Sequence, residues 1–159
     1  MLQTVKNFIR ILAKVDALAF PGEALEVRLI IRDRKNEPIA CSETREIRIR
    51  ERLFVRYVSR LRRLWKYSQK KTLTRVAIHE VRHKLQLGGT RLWTKKNIVL
   101  LRPLIEEEVS SFLQGWPFDE TEDPMQRDAW IIEGLCMRLI VRGRPLGDIK
   151  RILLSQPEE

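Results

Sequence analysis

A chain of 159 residues is long enough to bury a hydrophobic core without disulfides or a metal staple, and it points to a single domain over residues 1–159. An apolar fraction of 43% beside 33% charged residues excludes an extended disordered chain and implies a heavily charged surface. Thirty-one Lys and Arg against 21 Asp and Glu leave a net charge of +10, which attracts nucleic acid, anionic membrane or acidic protein surfaces and equally suits an Arg-rich soluble surface.

The N-terminus, "MLQTVKNFIRILAKVDALAF", carries charges throughout where a signal peptide would have an unbroken apolar stretch, so it reads as an amphipathic helix with Val5, Phe8, Ile9 and Leu12 inward. No apolar run approaches the roughly 18 residues of a spanning helix. Beyond the Pro21-Gly22 break, alternation places Val27, Leu29 and Ile31 on one strand face and Ile47 and Ile49 on another. The intervening "RDRKNEP" has turn chemistry, which predicts two or three antiparallel strands. Arg48, Arg50 and Arg52 share one face of the last strand in that reading.

Helical spacing then takes over, with Phe54, Val58, Leu61 and Trp65 inward and Arg56, Arg60 and Arg63 outward. A third helix runs from Thr72 to Leu87 and closes at Gly88-Gly89. A fourth is helical from Pro103, followed by the loop "GWPFDETED". The last long helix is capped by Asp123, has Pro124 at its first position and runs to Gly143; a short helix from Leu146 to Leu154 ends the fold. Cys41 and Cys136 have no metal-binding spacing and read as reduced thiols, pointing to a cytoplasmic protein.

The chain's two histidines lie in the third helix, as His79-Glu80-Val81-Arg82-His83. Residues i and i+4 project from one side of a helix and can reach one ion, so this HExxH spacing suits Zn²⁺ with Glu80 as general base. On the helical wheel Ile78, Val81 and Leu85 lie nearly opposite the histidines, with Arg75 and Arg82 at the edge between the two faces. An ordinary surface trio of His, Glu and His is the plainer alternative.

These residues resemble the zincin metallopeptidases, in which a small twisted sheet precedes the HExxH helix and a later helix supplies a third ligand. The HExxHxxGxxH extension is missing, which sets aside the metzincin branch and leaves a distant carboxylate as third ligand. "RDAWIIE" is similar to the third-ligand helix of gluzincins in two registers, one giving Asp128 and the other Gln126, a poorer zinc ligand. Asp128 also falls in an apolar stripe of Met125, Ala129, Ile132, Leu135, Cys136 and Leu139, where a carboxylate needs a partner, for which a metal ion serves; a buried arginine is the plainer alternative. Glu108, on a face with Leu101, Ile105 and Phe112, is the rival, followed by Glu122 and Glu133. Gln86 falls near the rim of the motif, where polar helix surface is its commoner meaning. Trp93, Trp116 and Trp130 read as packing residues.

The expectation is therefore an α+β, zincin-like single domain. The resemblance implies a zinc-dependent metalloprotease acting on peptide or protein, with His79, His83 and Asp128 on the metal and Glu80 as base. The arginines between Arg45 and Arg75 support a second reading, a basic nucleic-acid-binding or nucleic-acid-associated protein with a degenerate or structural metal site, although no recognised nucleic-acid motif accompanies them.

Overall fold

A computed structural model describes residues 1–30, 37–41, 45–119 and 121–158. Among these the order is α1 (Gln3–Ala19), β1 (Glu26–Leu29), β2 (Ile39–Cys41), β3 (Glu46–Ile49), α2 (Glu51–Trp65), α3 (Gln69–Leu87), a 3₁₀ turn (Ile98–Leu101), α4 (Arg102–Gln114), α5 (Pro124–Val141) and α6 (Leu146–Leu153). The fold is α+β, mostly helical, with a small three-stranded sheet. No helix among the described residues is long and apolar enough to cross a membrane.

The sheet is mixed, which corrects the all-antiparallel expectation. Its order is β1-β3-β2, with β2 antiparallel to β3 and β1 parallel to it. The register sets Val27 and Cys41 beside Ile47, and Leu29 and Ile39 beside Ile49, so one face is apolar. Ile47 and Ile49 are fully buried there. The supposed row of strand arginines breaks up: Arg48 is exposed and pairs with Glu46, while Arg50 turns inward to the carbonyl of Glu37 and Arg52 already belongs to α2. Most of the predicted turn, and Ile31 with it, lies outside the described residues.

The helix α3 is central, packed on α1, α2 and α5. It begins earlier than its apolar pattern suggests, because Ser68 caps it by accepting from the Lys71 amide at 3.2 Å. It ends where the Gly88 amide reaches back to Lys84 and Leu85 and Gly89 takes φ +94°. On α5, Asp123 caps as expected, accepting from the Met125 and Gln126 amides at 2.7 and 3.3 Å. Val5, Phe8 and Leu12 of α1, Phe54 and Val58 of α2, Ile78 and Val81 of α3, and Ile132, Leu135 and Leu139 of α5 are buried together.

Candidate active site

Arg82, expected at the edge of α3, is fully buried, and it determines how α3 and α5 meet. Its Nε donates to Asp128 Oδ2 at 2.7 Å and its Nη2 to Asp128 Oδ1 at 3.0 Å, while Nη1 donates to the Leu153 and Ser155 carbonyls at 2.9 and 2.7 Å. One guanidinium thus clamps α5 and the end of α6 onto α3.

Asp128 accepts two further bonds, from Gln86 Nε2 at 2.7 Å and from the Trp93 amide at 2.7 Å. With four donors on two oxygens the carboxylate has no lone pair left to give. The structure therefore brings Gln126, not Asp128, to the histidines, and the buried-arginine alternative describes Asp128. Glu108 is equally removed, paired with Arg142 at 2.5 Å. Among the described residues no group of three or more His, Cys, Asp or Glu side chains is placed to hold a metal ion.

His79 and His83 stand side by side on α3, their Nε2 atoms 3.0 Å apart, and Gln126 Oε1 lies 3.0 Å from the first and 3.1 Å from the second. The surrounding bonds fix the ring tautomers. Glu133, a carboxylate, can only accept, so His79 Nδ1 at 3.2 Å carries the hydrogen. Gln86 uses its Nε2 for the Met125 carbonyl at 2.8 Å and for Asp128, which leaves Oε1 facing His83 Nδ1 at 2.7 Å and requires a hydrogen there too.

With a hydrogen on each Nδ1, the rings in their neutral form present Nε2 lone pairs to each other and to a carbonyl oxygen. Such a triangle of acceptors repels itself unless an electron-pair acceptor, a proton or a metal ion, sits among them. Rotating the Gln126 amide would offer each ring an N–H, yet the two ring nitrogens would still face one another at 3.0 Å.

Burial opposes protonation of His79, but the hydrogen bond and charge of Glu133 outweigh it, so its pKa lies above the ordinary histidine value. Glu133 also accepts from Arg75 Nε at 2.9 Å, which holds the carboxylate in place.

The donors line a cleft of about 450 Å³ bounded by Pro38 to Cys41, Tyr57, Leu87, Met125 and Trp130. Glu80 lies on its wall, buried, with the Cys41 thiol donating to Oε2 at 3.2 Å. Burial, then the neighbouring Glu80 charge, pushes the Cys41 thiol far up, so it stays a neutral donor. The edge strand β2 forms one side of the cleft, and Trp130 stacks on Phe118 with planes 7° apart at 5.8 Å.

Sequence reasoning found His79, Glu80 and His83 as neighbours of one cleft, and its second register found Gln126. It placed Glu133 last among the candidates and took Gln86 and Trp130 for surface and packing. The chain has no match to a known protein family, a curated protein or a solved structure.

Proposed function

We propose that the cleft binds a divalent transition metal, zinc first among them, through His79, His83 and Gln126, and hydrolyses peptide bonds with Glu80 as general base. The observation that carries this reading is the convergence of three lone pairs, two of them held in the Nδ1–H tautomer by Glu133 and Gln86. Two imidazoles and a carbonyl oxygen are a donor set that such a metal accepts. The small sheet before the motif helix and the donor on a later helix support a zincin-like arrangement.

Bound there, the metal supplies Lewis acidity to a carbonyl and acidity to a water. The chain's own groups do the rest. Glu133 and Gln86 fix both rings and make them better donors. Glu80 keeps one oxygen on Cys41 and has the other to take a proton in the cleft. The outer edge of β2 has no strand partner among the described residues, so an extended peptide can pair with it beside Glu80.

A neutral amide in place of a carboxylate weakens metal retention and leaves the full charge of the ion in the cleft. Glu80→Gln should retain the metal and lose peptide hydrolysis by two orders of magnitude or more, on the order expected for a general base. Unchanged hydrolysis in that variant, measured on an unfolded protein substrate, would remove the base from Glu80.

A second reading rests on α2, where Arg52, Arg56, Arg60, Arg62 and Arg63 are exposed with no acidic partner among the described residues. Such a face neutralises phosphates, and affinity for DNA or RNA would fall steeply with salt and survive His79→Ala.

A further inference from the structure

A second cavity, of about 980 Å³, opens on the other side of Glu133, between α4, α5 and the α2–α3 junction. Arg75 lines it and is held rigidly. Its Nε is committed to Glu133 at 2.9 Å, and its guanidinium carbon lies 4.1 Å from the centroid of the Trp65 ring. Its two terminal nitrogens have no acceptor among the described residues.

Arg138, also lining the cavity, spends Nη1 on Ser111 Oγ at 2.8 Å and lies 5.9 Å from the Phe112 ring centre. Arg75 shares its charge with Glu133, whereas Arg138 has no acidic partner among the described residues, since Arg142 takes both Glu107 and Glu108, at 2.7 and 2.5 Å, so Arg138 supplies the uncompensated positive charge of the site. Phe112, Pro117, Met137 and Val141 give the lining an apolar wall, beside polar groups that include the Glu107 and Glu108 carboxylates held by Arg142. At Gly134 an added Cβ would lie 2.7 Å from Phe112 Cε2, so the missing side chain is what lets Phe112 close on α5.

We propose that this cavity is a ligand site for a small organic carboxylate with an apolar, aromatic-sized body. The paired Nη1 and Nη2 edge of a fixed guanidinium matches a carboxylate's two oxygens, and restraint of Arg75 by Glu133 and Trp65 lowers the entropy lost on binding. The apolar walls take the body, which separates this ligand from a bare inorganic anion. The site does not depend on metal in the histidine cleft, although Glu133 joins the two.

The test is a titration of the full-length protein with 3-phenylpropionate, followed by amide chemical shifts and calorimetry, beside 3-phenylpropionamide and inorganic phosphate. Saturable binding is expected, with shifts at Gly115, Phe112 and Gly134, at least tenfold weaker in Arg138→Gln and absent for the amide. Arg138 is exposed, so this variant keeps its fold, checked by its unfolding midpoint. No saturation at millimolar 3-phenylpropionate, equal binding of the uncharged amide, binding of phosphate alone, or an unchanged affinity in Arg138→Gln would each overturn the proposal.

Discussion

The sharpest reassignment falls on two residues, Arg82 and Asp128. A buried ion pair contributes little relative to an apolar pair of the same shape, but removing one partner strands the other, at about 3–5 kcal/mol. Asp128→Ala should lower stability by at least that amount in urea unfolding, and Arg82→Met combined with Asp128→Leu should not restore it, because Gln86 Nε2, the Trp93 amide and the Leu153 and Ser155 carbonyls would lose their buried partners; Asp128 here holds helices and not metal. The opposite holds at Gln126, which is exposed and whose side chain bonds only the histidines among the described residues. Gln126→Glu adds a charged oxygen to the donor set and should tighten zinc at least tenfold, about 1.4 kcal/mol or more, in competition with a chelating dye. His79, Glu80 and His83 were legible because i, i+4 geometry is a property of one helix. Gln126 entered only as the second of two registers and Glu133 only as a last candidate, because their approach depends on how α5 docks. The signal that could have found that docking was Arg82 itself, the charged residue between Glu80 and His83, for which Asp128 is the buried partner.

At the scale of elements, the helices were readable from their punctuation. Asp123 and Pro124 open α5, and Gly88 and Gly89 close α3, as expected from caps and glycine. Ser68 was passed over because the residues after it, Gln69 to Lys71, are polar and extend the helix before its apolar stripe begins. The sheet was legible only as strands. The last strand, β3, sits in the centre, parallel to β1 and antiparallel to β2, an order which neither alternation nor turn residues specify. The α4–α5 contact gives the prediction proper to this scale. Gly134→Ala should destabilise by about 1–3 kcal/mol despite alanine's better helix propensity, because its methyl must displace Phe112, and the unfolding midpoint reads it directly.

For the whole molecule, burial of thiols makes stability depend on alkaline pH. Burial holds the Cys136 thiol up at about 12 from its ordinary 9.0, opposed by the charge of Arg82 and reinforced by that of Glu133. The unfolded chain loses this proton above about pH 9 while the folded chain keeps it, so the stabilising contribution is present below 9 and declines as pH rises toward 12. The slope is at most about 1.4 kcal/mol per pH unit from this group. Cys136→Val should flatten that part of the urea-midpoint profile relative to the parent protein. The composition, with its surplus of basic residues, speaks to the exposed α2 face and says nothing of the cleft, which is built from a few groups in a chain of 159 residues. The account of that cleft turns on its histidine pair. Metal content by mass spectrometry, after equilibration with zinc and removal of free ion, tests it most directly: about one equivalent in the parent protein, falling to background in His79→Ala, is the predicted result. A parent protein that holds no zinc, or a His79→Ala variant that holds as much, would contradict it.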